Sequence, residues 1–445
     1  MLKSLLRLSH SQLGLLIAPF IFIAALTGLL YVLTPQIEQS IYHQQLFAEH
    51  EVGALVQPLS LQVKAAQEIL PKETQIIAVR TAPTENSTTR ILYQAPQDSM
   101  TTMAIFVNPY TLAVQGQLAA YGTSGVLPVR TFLDQVHRNL LLGEWGRLYS
   151  ELAASWLGIF TLTGLLQWWL KRQQIKTSPH QRNRLIRWHY LTALVILPML
   201  LFLSITGLTW SKWSGANIAE IRHWLNSDTP TLNRQIQIAS HSQYVDPHAE
   251  HHAMMNMATD MRVLNLDYFD QMVTIARANG LMAKALQIKP SYQHNQAWMV
   301  EEMNHRHPIQ VDALAVDITQ QKVIDQVHFK DFPMSAKLTR WGVDMHIGVL
   351  FGWWNQLILV LSALGILMIT AFAYRAWWSY SRPAESIQQL NKSLLQLWQQ
   401  AHVLPLSLLI ISLVFLYFLV PVWVVSIVVL HAIFAIGQLF KRIKN

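Results

Sequence analysis

Cysteine is absent from the 445 residues of the chain. Its absence excludes disulfide bonds, iron–sulfur clusters, thiolate metal sites and haem attached covalently through a C-x-x-C-H motif. A metal centre in this chain must therefore use histidine, methionine, carboxylate or main-chain ligands.

Glycine-rich nucleotide motifs are also absent, because the sequence contains neither G-x-G-x-x-G nor a P-loop. Such motifs bring backbone N–H groups against the phosphates of dinucleotides and nucleoside triphosphates. We therefore expect no nucleotide cofactor on this chain and no direct oxidation of NAD(P)H by it.

Charged residues are scarce: they make up 13% of the chain, whereas hydrophobic residues make up 52%. This composition predicts a membrane protein. Windows without Asp, Glu, Lys or Arg, apart from Asp344 in the fourth, occupy residues 8–37, 152–170, 188–211, 341–374 and 401–440. Since a span needs about 20 apolar helical residues, the first four windows each predict one span. The last contains two prolines and predicts two short spans or a re-entrant hairpin.

Basic residues determine the predicted orientation, because cytoplasmic loops accumulate Lys and Arg. Six basic residues and no acidic residue lie between residues 171 and 187, and both ends of the chain are basic. Both termini are therefore expected in the cytoplasm, which six spans satisfy, and the first span is expected to be a retained signal anchor. The net charge of +8 is explained by this topology, so no nucleic-acid partner is expected.

Two extracytoplasmic regions each begin with a helical pattern and continue as several strand-like runs. Each predicts an α+β module inserted between two spans. The predicted segments are TM1 at 1–37, a first module at 38–136, TM2 at 137–171, a basic cytoplasmic loop at 172–187, TM3 at 188–211, a second module at 212–340, TM4 at 341–378, a cytoplasmic linker at 379–402 and a TM5–TM6 hairpin at 403–440.

Two sequence motifs occur twice with identical spacing. His10, Pro19, Thr27, Gly28 and Leu29 recur as His189, Pro198, Thr206, Gly207 and Leu208. In the same way, His137, Leu141, Gly143, Trp145, Trp168 and Trp169 recur as His346, Leu350, Gly352, Trp354, Trp377 and Trp378. The fold class predicted is thus a mainly α membrane protein, in which duplicated two-span units form a helical bundle.

Several repeated residues have ordinary explanations. The Thr-Gly pairs favour close helix approach, the two prolines are expected to kink their helices, and the tryptophan pairs are typical of an aromatic belt at the membrane surface.

The L-T-G and W-W helices with a histidine at their starts, together with the V-N-P-Y-T turn at residues 107–111, resemble the PepSY-associated transmembrane family and its PepSY domains. The resemblance covers residues 1 to about 380. It departs from the pattern at Asp317-Ile318-Thr319, which replaces the turn in the second module, and the last two predicted spans lie outside the shared core. The resemblance implies a bacterial inner-membrane, iron-regulated protein with periplasmic modules, similar to haem-containing reductases of ferric siderophores.

The four repeated histidines are candidate haem ligands on separate grounds. The predicted topology puts His10 and His189 near the cytoplasmic face, and His137 and His346 near the opposite face. Histidine is the commonest side-chain ligand of haem iron, and two imidazoles fill both axial positions of a b-type haem. We therefore expect two bis-histidine haems. The simpler alternative is interfacial histidines bonded to lipid headgroups or to neighbouring helices.

Arginines next to these histidines are candidate partners for haem propionates, because guanidinium groups bind carboxylates bidentately. They are Arg7 and Arg187 on the inner side and Arg138 and Arg340 on the outer side.

The function expected from these features is transfer of electrons across the inner membrane to a periplasmic Fe(III) chelate such as a ferric siderophore. The donor would be quinol or a cytoplasmic flavoprotein, and membrane lipid would surround the spans. Two other interpretations are a non-redox protein that binds or restrains a periplasmic partner, and a transporter. The transporter is disfavoured because the interiors of the predicted spans lack charge.

Other histidines receive no firm assignment. The segment 241–261 is rich in histidine and methionine and suits either a copper-type site or a solvated loop. His305 and His307 are expected at a hairpin turn, and His402 and His431 have no counterparts in the repeat.

Overall fold

The computed structural model describes residues 10–11, 13–71, 74–95, 98–121, 125–176, 181–236, 264–379 and 414–444. These residues are mainly helical and include an eight-stranded antiparallel sheet. The helices are α1 (Leu13–Val32), α2 (Thr34–Ile41), α3 (His43–Leu46), α4 (Leu59–Gln67), α5 (Pro128–Asn139), α6 (Gly143–Lys176), α7 (Gln181–Val195), α8 (Leu197–Thr209), α9 (Trp213–Trp224), α10 (Asp267–Ala278), α11 (Met334–His346), α12 (Trp353–Trp378) and α13 (Pro421–Lys444). The strands are β1 (Ile76–Arg80), β2 (Thr89–Ala95), β3 (Asp98–Val107), β4 (Val114–Ala120), β5 (Leu286–Lys289), β6 (Trp298–Glu302), β7 (Ala313–Asp317) and β8 (Lys322–Val327).

The chain forms two compact units. The helical unit contains Met1–Leu33, Leu133–Asp228 and Thr339–Asn445, and the sheet unit contains Thr34–Phe132 and Thr229–Leu338. Each unit is therefore assembled from separate stretches of the sequence.

The helical unit contains helices that can cross a membrane. Among the described residues, α1 and α12 are long and apolar enough to do so, and α7 with α8 provides a third span if the pair is counted as one. The predicted second span lies in α6. This helix is 34 residues long, but it is not among the helices that are apolar enough to cross a membrane. Its apolar stretch carries Thr161, Thr163 and Gln167, which lower its hydropathy. The predicted count of six spans stays a prediction.

The two repeated prolines behave differently. The chain bends by 67° between α7 and α8, just before Pro198. Proline removes a helical N–H donor and clashes with the preceding turn, which accounts for this bend. In contrast, α1 continues through Pro19 as one helix. The predicted kink is therefore realised at Pro198, whereas no break occurs at Pro19.

The core of the helical unit is formed by α1, α6, α8 and α12. Ile17, Ala25, Trp156, Leu200 and Ile366 are buried together there. The Trp156 indole also donates a hydrogen bond of 3.0 Å to Ser426 Oγ in α13.

In the sheet unit, the strands of both predicted modules form one sheet with the order β4-β3-β2-β1-β5-β6-β7-β8. The two halves join where β1 pairs with β5, through Val79 opposite Ile288 and Arg80 opposite Gln287. A sheet in each region by itself would leave two more edges with unpaired backbone groups, and this pairing removes them. The predicted strand runs overlap the observed strands closely, but the sequence did not indicate that the two sets would merge.

Helices α4 and α10 cover one face of the sheet. Val63 and Ala66 of α4 and Phe269 and Met272 of α10 are fully buried against strand residues such as Ile288. Their apolar positions recur every three or four residues, which is the spacing of one helix face.

Candidate functional site

The helical unit brings His10 and His189 together, as the repeat predicts. His10 precedes α1, and His189 lies in α7. Their ring centroids are 6.0 Å apart, and the ring planes are nearly perpendicular, at 87°. The two imidazoles come from opposite halves of the duplicated sequence.

His137 and His346 form the second pair. His137 lies near the end of α5, and His346 is the last residue of α11. An electrostatic interaction links the two imidazoles. Each packs against the first long helix of its own repeat: His137 Nδ1 lies 3.0 Å from Thr27 Oγ1, and His346 Nδ1 lies 2.7 Å from Thr206 Oγ1.

In the His10–His189 pair, Nδ1 is also the nitrogen at hydrogen-bond distance from a partner. His10 Nδ1 lies 3.2 Å from Thr163 Oγ1, and His189 Nδ1 lies 2.9 Å from the carbonyl oxygen of Ile369. A carbonyl can only accept, so His189 carries its proton on Nδ1. Each of the four histidines is thus held through Nδ1 by the partner helix of its own repeat. The holding helix is α6 for His10, α1 for His137, α12 for His189 and α8 for His346.

Threonine hydroxyls lie beside the other three rings. Each is within hydrogen-bond distance of a carbonyl in its own helix, that of Ile23 for Thr27, Ile159 for Thr163 and Phe202 for Thr206. A hydroxyl that donates to this carbonyl offers only lone pairs to the imidazole, which favours the proton on Nδ1 and the lone pair on Nε2. Metal-bound histidines commonly have this arrangement, in which the second nitrogen donates to a fixed acceptor.

Two glycines allow these rings to lie against helix backbone. A Cβ at Gly28 would lie 3.2 Å from His137 Cε1, and a Cβ at Gly164 would lie 2.6 Å from His10 Cε1. The second distance is a clash that no side chain tolerates without movement of the ring.

Aromatic rings accompany the histidines at equivalent positions of the repeat. Tyr31 stacks on His137 with a centroid distance of 6.5 Å, and Trp210, four residues after Thr206 as Tyr31 is after Thr27, lies 5.2 Å from His346. On the other pair, the Phe160 ring is 5.9 Å from His10.

The arginines predicted as propionate partners differ in their surroundings. Arg138 Nε is buried, and no atom of the described chain hydrogen-bonds to it. Arg340 Nε instead donates to Asp344 Oδ2 at 3.0 Å, so its charge is already paired. Arg187 is exposed, and Arg7 lies outside the described residues.

The remaining histidines do not extend the site. His305 and His307 lie in the loop between β6 and β7, and His431 belongs to α13. The segment 241–261 and His402 lie outside the described residues.

Paired histidines without further protein ligands suit haem better than a bare metal ion. The described residues contain no group of three or more His, Asp or Glu side chains that could hold a metal ion. A haem iron takes only its two axial ligands from the protein. Two imidazoles on one metal, with metal–nitrogen distances of about 2.1 Å, have centroids about 6.5 Å apart, close to the spacing of His10 and His189. The buried Arg138 Nε and the imidazoles held through Nδ1, which leave Nε2 for a metal, also fit this group.

Sequence reasoning missed the threonine partners. The sequence predicts only helix packing for Thr27 and Thr206, although their recurrence 17 residues after a repeated histidine is a signal that could have identified them. Thr163 and the Ile369 carbonyl left no such signal, because neither is part of a repeated motif.

A family model described as the PepSY-associated TM region matches residues 7–379, which include all four histidines and all eight strands. No curated protein matches the chain.

Proposed function

This chain belongs to the PepSY-associated TM region family, and from that premise we propose that it is an inner-membrane dihaem oxidoreductase. It would pass electrons from the cytoplasmic side to a periplasmic Fe(III) chelate, such as a ferric siderophore. Oxygen-rich chelators hold Fe(III) better than the softer Fe(II), so one electron loosens the bound metal.

The residues proposed to hold the two b-type haems are His10 with His189 and His137 with His346. Haem supplies one-electron chemistry by cycling between Fe(III) and Fe(II). The chain would contribute imidazole nitrogens as iron ligands, and the Arg138 guanidinium would be the best candidate partner for an outer propionate, because its buried Nε has no hydrogen-bond partner among the described residues.

The observation that carries this proposal is the pairing of imidazoles from opposite halves of the repeat, each with Nδ1 at hydrogen-bond distance from an oxygen atom of another helix. Histidines that only contacted lipid headgroups would not need such a common arrangement. Four rings held in this way at duplicated positions favour ligation over an interfacial role.

The proposed orientation follows the distribution of basic residues. Arg184 and Arg187 begin α7 beside further basic residues, so this end of the helical unit is assigned to the cytoplasm and the sheet unit to the periplasm. Since the chain lacks nucleotide motifs, the donor is proposed to be quinol or a separate flavoprotein.

The test is a reduced-minus-oxidised visible spectrum of the purified full-length protein, with haem quantified as the pyridine haemochrome. We expect two haems per chain. His10→Ala or His189→Ala should remove one, and His137→Ala or His346→Ala should remove the other. His223→Ala is the control, because this histidine is exposed and pairs with Asp228. A colourless wild-type protein, or two haems retained in all four variants, would refute the proposal.

A second candidate function is ligand binding by the sheet unit without redox chemistry. A cavity of about 800 Å³ lies beside the start of α4, lined by residues that include Gln62, Thr84, Tyr110 and Lys284. This size falls within the range of about 300–1,000 Å³ typical of small-molecule sites. Gln62 is buried, and its Oε1 has no hydrogen-bond partner among the described residues. A colourless protein that still bound a small molecule here would favour this function.

A further inference from the structure

Three threonines lie behind the paired imidazoles: Thr27, Thr163 and Thr206. We propose that they are positioning residues that fix the histidine tautomer and lower the reduction potential of the centre they adjoin. This inference rests on the proposed dihaem function, and its test separates the two.

The first step is the direction of each hydrogen bond. The threonine hydroxyls donate to carbonyls at 2.8 Å for Thr27, 2.7 Å for Thr163 and 2.7 Å for Thr206. With its proton committed, each oxygen offers only lone pairs to the imidazole Nδ1. Donation to the neighbouring carbonyl also makes the oxygen a better acceptor, because linked hydrogen bonds polarise one another.

The second step is the effect on the ligand atom. An imidazole that donates from Nδ1 has more electron density at Nε2 and is a more basic ligand. A more basic axial ligand stabilises Fe(III) relative to Fe(II), so the potential falls. Replacing threonine by valine keeps the shape of the side chain but removes the acceptor, and the potential should rise.

The two centres differ in a way that predicts unequal shifts. Both imidazoles of the His137–His346 pair contact hydroxyls, and His137 also has a hydrogen bond to the backbone of Ala24, whereas His189 of the other pair donates to the main-chain carbonyl of Ile369. A side-chain substitution cannot remove these backbone partners, but the double variant loses two hydroxyl acceptors and Thr163→Val loses one. The double variant Thr27→Val/Thr206→Val should therefore shift its centre further than Thr163→Val shifts the other.

The test is a spectroelectrochemical titration of the full-length haem-loaded protein. Thr209→Val is the matched control in α8, the helix of Thr206, and Thr161→Val is the matched control in α6, the helix of Thr163. The two control hydroxyls donate to the carbonyls of Thr206 and Leu157. We expect upward shifts in Thr27→Val, Thr163→Val and Thr206→Val, each confined to one haem. Wild-type potentials are expected in both controls and in the matching Thr→Ser variants, which keep the hydroxyl.

Several outcomes would overturn the inference while leaving the haems in place. They are potentials of the valine variants equal to those of the controls, or serine variants that shift as far as valine variants. A wild-type protein without haem would instead refute the proposed function.

A second readout does not need haem. Nitrogen-15 spectra of the haem-free wild-type protein should assign the four histidines to the Nδ1–H tautomer, and the valine variants should lose this signature at the affected ring. Nε2–H tautomers in the wild-type protein would overturn the inference even if a valine variant failed to fold.

Discussion

Each imidazole of the candidate site has a hydrogen-bond partner at Nδ1, and the space around the ring also decides whether it can stay in place. Gly164 lies directly against His10, next to the Thr163 that anchors it. A close approach between a helix backbone and a ring requires that no Cβ intervene, and this is the usual role of glycine at helix interfaces in membranes.

Gly164→Ala should therefore remove only the haem proposed to bind His10 and His189. The new Cβ would lie 2.6 Å from His10 Cε1 and 3.2 Å from Nδ1, so the ring must leave Thr163 and move relative to His189. The measurement is the haem-to-protein ratio, expected to fall from two to one. Gly14→Ala is the matched control in α1, because no described atom lies within 4 Å of its added Cβ. Two haems with unchanged spectra in Gly164→Ala would contradict this role.

Glu38 in α2 provides a pH-dependent contribution to stability. Burial raises the pKa of this carboxyl above its ordinary value of 4.5, although a hydrogen bond from the Arg130 backbone N–H and the charges of Arg130 and Arg90 oppose the shift. A raised folded-state pKa means that ionisation costs stability. The cost is absent below pH 4.5, where the group is protonated in both states, and it appears as the pH rises through the folded-state pKa.

Glu38→Gln should accordingly gain stability over the wild type as the pH rises. The measurement is the difference in Tm between the two full-length proteins, which we expect to be more positive near neutral pH than below 4.5. Glu51→Gln, at an exposed position, serves as the control. An unchanged difference would mean that folding does not shift the pKa of Glu38, and a reversed difference would mean that the folded protein stabilises its carboxylate.

At the scale of elements, the first turn of α4 is capped by a side chain of another helix, α10. Pro58 occupies the N-cap of α4 and has no side-chain acceptor for the free N–H groups of the first turn. Asp270 of α10 supplies it, with Oδ1 2.6 Å from Leu59 N and Oδ2 3.3 Å from Ser60 N. A carboxylate here also interacts favourably with the positive end of the helix dipole.

Asp270→Ala should destabilise the sheet unit by about 0.5–2 kcal/mol, the usual cost of losing an N-cap. Asp267→Ala is the matched control, because Asp267 also lies in the first turn of α10 but is exposed. The difference between the variants in thermal unfolding therefore isolates the cap on α4. Equal Tm values for the two variants would show that Asp270 contributes nothing through this contact.

Local sequence patterns predicted most elements because these depend on neighbouring residues. Strand-like runs predicted strands such as β2 and β6, and the Asn108 turn closes as expected, with its Oδ1 accepting from Tyr110 N. The behaviour of Pro19 was not predictable in this way, since a proline in a long helix is accommodated or not according to its packing against other helices.

At the scale of the whole molecule, repeated spacing is the feature from which the sequence predicted the site. It linked His10 with His189 and His137 with His346, because residues at equivalent positions of a sequence repeat are expected at equivalent places. The same reasoning could not reveal the merged sheet. Pairing of β1 with β5 joins strands about 200 residues apart, and no local pattern specifies which edge meets which.

The junction between the half-sheets is a row of polar side chains in cross-strand register. Arg90, Arg80, Gln287 and Glu301 lie side by side on β2, β1, β5 and β6. Burial, together with the like charge of Arg90, lowers the pKa of Arg80 to about 10, and Glu301 opposes the shift. Gln287 is buried, accepts a hydrogen bond from Arg80 Nε and donates one to Glu301.

Gln287→Ala should therefore weaken both halves of the sheet together. It removes an acceptor from a buried guanidinium and a donor from Glu301, at a cost of about 1–3 kcal/mol. Because hydrogen bonds run continuously from β4 to β8, we expect faster amide hydrogen exchange in β3 and β7 alike, on opposite sides of the junction. Gln326→Ala, at an exposed position of the edge strand β8, should leave both strands unchanged. Faster exchange in β7 with normal protection in β3 would mean that the halves unfold independently, as two modules that merely touch along one edge.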